Sequence, residues 1–351
     1  MLPPAAPPHN VCLLRLSALG DTCHVVPVLR TLQQAWPTTQ FTWIIGKAEA
    51  RLMALIEGVE FITVNKRAGL FGMRRELRRQ LRGRRFDVML HMQLALRASL
   101  LAQAVRAEVK LGYDRTRARE LQWLFTNAQI LARQCEHTMD SFFGFAEALG
   151  VRERLLRWDV PLPADAKEYA TRLIPDAQPT LVISPCSSHA LRNWSAERYA
   201  AVADHAMKRH AMRVILAGGA SAIEQKMGAA IARASSSGLI NQIGRDTLPQ
   251  LLALLGRATV LISPDSGPAH MATAVGTPVI GLYAATRSAR SGPYLSREWC
   301  VDRFAAAARQ FRGREPDELS WAEKIEEPGV MELITVEAVA GKLDELLALR
   351  A

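Results

Sequence analysis

Short apolar runs alternate with longer segments of helical periodicity along most of the chain. The first run, 11–16, leads through the loop 17–21 into a segment with apolar residues at helical spacing: Val25, Val28, Leu29 and Leu32. Spacings of three and four residues predict an amphipathic helix. Further short runs predict strands at 41–45, 61–64, 86–92 and 109–111. Because strands that alternate with helices pair in parallel, the first half is predicted to be a Rossmann-like α/β domain.

The alternation resumes after a proline-interrupted stretch, 158–179, which predicts a linker between two domains. Thr335 is placed to cap a final amphipathic helix over 336–349. The second half is predicted to form strands at 180–184, 212–217, 258–262 and 278–282, and helices at 196–208, 222–234 and 268–275. The predicted divisions are a first Rossmann-like domain over 1–165, a second Rossmann-like domain over 166–335, and a last helix over 336–351 that could cross back to the first domain.

Length and cysteine content narrow the class of protein. A chain of 351 residues exceeds one ordinary core and suits two α/β domains. No apolar run approaches the roughly 18 residues of a membrane span. The start, 1–8, has neither the basic nor the apolar part of a signal peptide, so a cytosolic protein is expected. Five widely spaced cysteines without a C-x-x-C pair argue against a disulfide framework and a structural zinc site.

Positive charge is concentrated in the first half. The chain has a formal net charge of +10, and the segment from Lys66 to Arg119 alone has 15 Lys or Arg against 4 Asp or Glu, which gives +11. Such a segment suits phosphorylated substrates, an anionic membrane surface or nucleic acid, and a solvated helix face is the alternative. The segment lacks interleaved stacking aromatics, which argues against nucleic acid.

The loop 17–21 places a glycine and then a carboxylate where the first strand turns into a helix. Gly20 would let another group approach the backbone closely, and Asp21 would face a cleft between the domains. The alternative is that Asp21 only caps the helix.

The loop 184–194, which follows the first strand of the second half, has hydroxyl groups and a cation. Ser187, Ser188 and Arg192 suit a diphosphate, because hydroxyls donate to its oxygens and a guanidinium binds them in pairs. The alternative is a solvated loop with Trp194 as its packing anchor.

The strongest local pattern is the segment 263–270, which leads from an apolar strand into a helix of small residues. Ser266 or Gly267 can cap this helix, and its free amides and dipole then favour an anion. Asp265 would be repelled by a diphosphate, so it is expected to accept from sugar hydroxyls or from the loop's own amides. His270 suits either a phosphate contact or the core.

Several familiar motifs are absent. The sequence has no G-x-G-x-x-G, no G-x-x-x-x-G-K-[ST], no H-E-x-x-H and no D-x-D. The sequence therefore lacks the motifs that usually accompany hydride transfer, P-loop hydrolysis, zinc proteolysis and metal-dependent binding of a sugar nucleotide. A nucleotide donor would have to be held by protein cations and helix ends.

The three loops, in this order, resemble those of the ADP-heptose:lipopolysaccharide heptosyltransferases, inverting enzymes of glycosyltransferase family 9. The resemblance rests on 16–24, on 187–194, and on 265–270 with 276–282; in addition, 43–47 and 90–97 are similar to the heptosyltransferase I branch. It implies an α/β fold of the GT-B class, in which two Rossmann-like domains face each other across a cleft.

The resemblance also implies roles for individual residues. Asp21 would be the catalytic base. Arg192 stands where many relatives have lysine, which keeps the charge but replaces a point ammonium by a planar fork. The donor-binding residues would be Ser187, Ser188, Arg192, Glu224, Asp265, Ser266, Gly267 and His270. The acceptor-binding residues would be Ser17, Gly20, Arg74 and Arg97.

The implied reaction moves L-glycero-D-manno-heptose from ADP-heptose to Kdo of Kdo–lipid A, with no metal and no cofactor. The enzyme is expected to be a cytoplasmic monomer at the inner membrane face, without nucleic acid as a partner. The alternatives are a heptosyltransferase of branch II or III, a sugar-nucleotide epimerase or hydrolase, and a basic nucleic-acid-binding protein.

Overall fold

The structure, a computed structural model, describes residues 3–350. The chain divides into two compact units, Met1–Pro161 and Leu162–Ala351. Each unit is built around one parallel sheet of six strands with helices packed against it. Two Rossmann-like α/β units are what the sequence predicted.

The first unit follows a doubly wound strand order, β3-β2-β1-β4-β5-β6. Its strands are β1 Asn10–Leu14, β2 Gln40–Gly46, β3 Glu60–Val64, β4 Arg85–His91, β5 Arg106–Gly112 and β6 Ala128–Gln129. Its helices are α1 Leu19–Ala35, α2 Ala50–Met53, α3 Gly69–Leu81, α4 Leu96–Ala102 and α5 Thr138–Ala148, with 3-10 turns at Lys66–Ala68 and Gln122–Leu124.

The centre of the first sheet is apolar because both of its faces are covered. Leu13 and Leu14 of β1 are fully buried, and β1 pairs in parallel with β2 and β4, where Leu14 lies opposite Ile44 and His91. Continuous apolar runs are typical of parallel strands with helices on both faces. On α3, by contrast, only one stripe is buried, formed by Met73, Leu77 and Leu81. Between Arg74 and Gln80, the positions outside this stripe are all polar or charged.

The second unit has the same winding, with strand order β12-β11-β10-β7-β8-β9. Its strands are β7 Thr180–Ile183, β8 Arg213–Leu216, β9 Ile240–Asn241, β10 Val260–Pro264, β11 Val279–Tyr283 and β12 Val301–Asp302. Its helices are α6 Ala164–Leu173, α7 Ala196–His210, α8 Ala222–Ala234, α9 Leu248–Arg257, α10 Gly267–Ala274, α11 Ser288–Ser291, α12 Phe304–Arg312 and α13 Val336–Ala348. Its 3-10 turns are Ala190–Arg192, Arg297–Trp299, Pro316–Glu318 and Val330–Leu333.

The strand orders locate the topological switch points. In the first sheet, the strands after β1 are added on one side of it, and those after β4 are added on the opposite side of the sheet, so the direction reverses between the neighbours β1 and β4. In the second sheet it reverses in the same way between β7 and β10. Open α/β sheets bind ligands beyond the carboxyl ends of such strand pairs. The loops after these four strands are therefore the natural candidates for chemistry.

The segment interpreted from sequence as a linker contains a helix. Prolines interrupt 158–179, but Pro163 lies at the N-cap of α6, where it breaks no helical hydrogen bond. Ala166 and Ala170 of α6 then pack on Ala253 of α9. The structural units meet at 161/162, four residues before the predicted boundary at 165/166.

The last helix packs within the second unit. Thr335 caps α13 as predicted, with its hydroxyl accepting from the amide of Ala338 at 3.2 Å. Val339, Leu343 and Leu346 are buried in the core that α7 also lines. The segment 336–351, which the sequence suggested could cross back to the first domain, thus buries its apolar face in the second unit.

Across the described residues, no helix is both long and apolar enough to span a bilayer. The cysteines are all free thiols, and Cys12, Cys23 and Cys186 are buried. Burial raises the pKa of the Cys186 thiol to about 12, which keeps it protonated and unreactive at neutral pH.

Candidate functional site

Asp21 lies in the first turn of α1, just beyond the carboxyl end of β1. Its carboxylate Oδ2 accepts from the amide of Ala18 at 3.2 Å and forms an ion pair with Arg15. Both contacts use Oδ2, and no described residue donates to Oδ1. The side chain is 30% exposed. Capping therefore occupies Oδ2 and leaves Oδ1 available to accept a proton. The two roles considered from the sequence, helix cap and catalytic base, are thus compatible.

Arg15 and Gln93 support this loop, and sequence reasoning assigned neither of them a role. The Arg15 side chain is only 10% exposed, its Nη1 donates to the carbonyl of Met92 at 2.5 Å, and its guanidinium carbon lies 5.2 Å from the ring centre of Phe142. Gln93, which follows β4, accepts from the amide of Leu16 at 2.9 Å. A charged residue inside the apolar run 11–16 was the available signal for Arg15.

The residues expected to bind the acceptor lie in three parts of the first unit. The amide of Ser17 donates to Oε1 of Gln93 at 3.2 Å, and Gly20 is buried in the first turn of α1. Arg97 is exposed at the start of α4. Arg74 of α3 is half-buried, its Nε is buried without a partner, and it forms no hydrogen bond or ion pair with the residues described. A partly desolvated cation in this state is suited to an anionic ligand.

In the second unit, α10 begins directly beyond the carboxyl end of β10. Ser266 is its N-cap, but its hydroxyl does not cap the helix and instead lies 2.7 Å from that of Ser263. Gly267 is the first helical residue. The first amides of a helix without a side-chain cap form a site for an anion. His270, in the next turn, is buried, with only 7% of its surface exposed.

Arg192 lies at the end of the 3-10 turn after β7 and is paired with two carboxylates. Its Nε and Nη2 donate to Oε1 of Glu326 at 2.7 and 2.5 Å, and its Nη1 lies 3.6 Å from Oδ2 of Asp265. Burial raises the pKa of Glu326, but the bonds from Arg192 outweigh burial and hold that pKa below its usual range. Sequence reasoning missed Glu326, which is 134 residues away in the chain.

The rest of this loop combines packing with exposed polar groups. Ser187 donates its hydroxyl to the carbonyl of Asp265 at 2.9 Å, whereas Ser188 is exposed. Trp194 is buried and donates to the carbonyl of Ile334 at 3.0 Å, so it is the packing anchor considered from the sequence. The Asp265 carboxylate accepts from the hydroxyl of Ser291 at 3.3 Å, and no loop amide among the described residues donates to it.

Glu224 closes the loop after β8. Its two oxygens accept from the amide of Gly219 and the hydroxyl of Ser221, both at 2.6 Å. A side chain at Gly219 would place its Cβ 2.8 Å from Oε2 of Glu224, so the Glu224 carboxylate would have to shift to accommodate it. Oε2 also accepts from the amide of Ser221 at 3.4 Å, whereas Oε1 has one donor and retains a lone pair that could accept from a ligand hydroxyl.

Comparison with known proteins identifies the family. The sequence model of glycosyltransferase family 9 (heptosyltransferase) matches residues 74–318, more than half of the chain. The chain belongs to glycosyltransferase family 9. The lipopolysaccharide core heptosyltransferase OpsX of Haemophilus influenzae is 38% identical to this chain over 339 residues, which cover 97% of each chain. The family resemblance inferred from the three loops is therefore confirmed, and the protein is a glycosyltransferase.

Two solved glycosyltransferase structures share the fold. A family 9 glycosyltransferase from Veillonella parvula superposes with a TM-score of 0.79 at 21% identity and covers 98% of both chains. The Escherichia coli heptosyltransferase WaaC with ADP has a TM-score of 0.72 at 21% identity, covering 96% of this chain and 99% of its own. At this identity the likeness establishes the GT-B fold, as the sequence predicted.

Proposed function

We propose that this family 9 enzyme transfers L-glycero-D-manno-heptose from ADP-heptose to Kdo of Kdo–lipid A in lipopolysaccharide core synthesis, with inversion at the anomeric carbon. The observation that carries the proposal is the Asp21 carboxylate, which is oriented by Arg15 and Ala18 through Oδ2 and keeps Oδ1 without a partner among the described residues. A general base needs both a fixed position and an available lone pair.

Asp21 would remove the proton from the acceptor hydroxyl as that oxygen attacks the anomeric carbon. The ion pair with Arg15 restrains the Asp21 carboxylate in the position that this step needs. Arg15 acts here as a positioning residue, because its contacts to Met92 and Phe142 fix the side chain that holds Asp21.

The second unit would bind the donor. Arg192 and the uncapped start of α10, at Ser266 and Gly267, would hold the diphosphate and stabilise the ADP leaving group as its negative charge grows. Ser187 and Ser188 add hydroxyl donors, and Glu224 would accept from the ribose. His270, in the next turn of α10, would add a further contact to the donor. These protein groups would replace the metal ion on which D-x-D enzymes depend.

The basic surface of the first unit would bind the acceptor and the anionic inner membrane face on the cytoplasmic side. Of the 15 Lys or Arg in 66–119, four form ion pairs with described residues: Lys66, Arg79, Arg84 and Arg117. The others include Arg74 and Arg97. Phe71 at the start of α3 is 86% exposed beside this charge. Cations near an anionic bilayer contribute about 1 kcal/mol each to binding, and an exposed aromatic ring adds burial at the interface.

The proposal is tested by measuring ADP release from ADP-heptose with and without Kdo–lipid A in buffer with EDTA. Release that requires the acceptor and persists in EDTA supports a metal-independent heptosyltransferase. Release without acceptor would identify a hydrolase instead. Turnover only with an acceptor that already has heptose would place the enzyme in another heptosyltransferase branch.

Replacing Arg74 by alanine is expected to raise the KM for Kdo–lipid A about tenfold or more, because a charge-assisted contact to an acceptor anion would be lost. ADP binding, measured by calorimetry, should not change. Arg79→Ala is the matched control, since Arg79 lies on the same helix but already pairs with Glu76 at 2.7 Å. Equal effects of the two substitutions would show that α3 acts only through its total charge.

A further inference from the structure

Two histidines and an aspartate converge where the last helix meets α7. Nε2 of His205 lies 2.7 Å, and Nε2 of His210 lies 2.6 Å, from Oδ1 of Asp344 on α13. All three atoms lie within 4.8 Å of one another. From these contacts we propose that His205, His210 and Asp344 form a binding site for a zinc-type divalent cation that fastens α13 to α7.

The donor set indicates the class of metal. Two imidazole nitrogens and one carboxylate oxygen suit Zn²⁺ or a similar borderline cation, whereas Mg²⁺ and Ca²⁺ prefer oxygen ligands. Three protein ligands leave a fourth tetrahedral position for water. The three side chains are 22–31% exposed, so solvent and a metal ion can reach them.

The second carboxylate oxygen of Asp344 has a partner of its own. Nε of Arg209 lies 3.2 Å from Oδ2 of Asp344, so the two oxygens have separate partners and Oδ1 remains directed at the imidazoles.

The geometry is close to that of a bound state. Zinc bonds to nitrogen and oxygen are about 2.0–2.2 Å long, so each imidazole would have to move away from Oδ1 by roughly 0.5–1 Å. Partly exposed side chains on two helices can make this adjustment by small rotations. Beneath them, Leu343 and Leu346 of α13 share a core with Val202 and Ala206 of α7, which fixes the two backbones.

The proposed metal site lies far from the residues proposed to bind the donor. Arg192 precedes the amino end of α7, whereas His205 and His210 lie nine and fourteen residues after Ala196, about 14 and 21 Å along the helix. A metal here would stabilise the second unit without touching the donor. The inference therefore goes beyond the proposed function, and turnover in EDTA is compatible with it.

The test is a zinc titration of the full chain after chelator treatment, followed by competition with a colorimetric zinc indicator. We expect one zinc ion per chain and no competition from Mg²⁺. We also expect a melting temperature about 5–10 °C higher at a hundredfold excess of free zinc over Kd. X-ray absorption at the zinc edge should show two imidazoles per metal. An absence of stoichiometric binding, or a spectrum without imidazole, would overturn the proposal.

Variants separate a metal site from a set of hydrogen bonds. The double variant His205→Gln and His210→Gln should lose at least about tenfold in zinc affinity. Two controls should bind zinc as the wild type does: Arg209→Ala, which keeps the three ligands, and His9→Gln, which removes an exposed histidine of the first unit. Unchanged affinity in the double variant would exclude the site. If that variant fails to fold, the absorption spectrum of the wild type decides.

Discussion

Replacing Asp21 by asparagine is expected to lower turnover by about 10²- to 10⁴-fold, the usual contribution of a general base. The substitution preserves size and an acceptor oxygen for the amide of Ala18, which now donates to Oδ2 at 3.2 Å. It removes only the negative charge and the ability to take a proton. The measurement is acceptor-dependent ADP release at saturating ADP-heptose and Kdo–lipid A, with ADP affinity determined separately.

Two further variants separate the base from the helix cap. Asp21→Ala removes the cap as well, so it should lose turnover to a similar extent and also lower the melting temperature. Arg15→Lys keeps a cation beside Asp21 but loses the planar fork that reaches both Asp21 and Met92. An Asp21→Asn enzyme with near-normal turnover would return Asp21 to the role of a cap alone.

Local patterns predicted the longer strands well because buried parallel strands are continuous apolar runs. The residues of β7, Thr180–Ile183, are completely buried, and the sequence marks them clearly. Helix α8 begins and ends where predicted, since Ser221 and Glu224 form a capping box at its start. The strands that escaped prediction, β6, β9 and β12, have two residues each. Two residues do not establish a period.

The side-chain pairings were less accessible from the sequence because they join distant segments. The loop 184–194 identified Arg192, but nothing near it indicates that Glu326, 134 residues later, neutralises it. His205 and Asp344 are 139 residues apart and meet only because α13 folds onto α7. Local periodicity therefore identified which loops reach the carboxyl ends of the strands, whereas tertiary packing determined which distant charged residues meet.

Replacing Arg192 by alanine is expected to lower kcat/KM for ADP-heptose by about 10- to 150-fold, since charge-assisted hydrogen bonds contribute about 1.5–3 kcal/mol each. Part of the loss should appear in kcat, because the charge on the leaving ADP grows in the transition state. Arg192→Lys should recover part of the activity, since it restores the charge without the fork. Arg309→Ala is the matched control, because Arg309 forms a comparable pair with Glu315 at 2.9 Å on the exposed side of α12.

The carboxylates beside Arg192 make this result open to a second explanation, which a double variant resolves. In Arg192→Ala, Glu326 and Asp265 would face the donor without their cation and repel its diphosphate. Adding Glu326→Gln removes the larger part of that repulsion. If Arg192 binds the diphosphate directly, the double variant should remain nearly as impaired as Arg192→Ala. Recovery to wild-type kcat/KM would mean that Arg192 serves only to neutralise Glu326, and the diphosphate would then depend on the start of α10 alone.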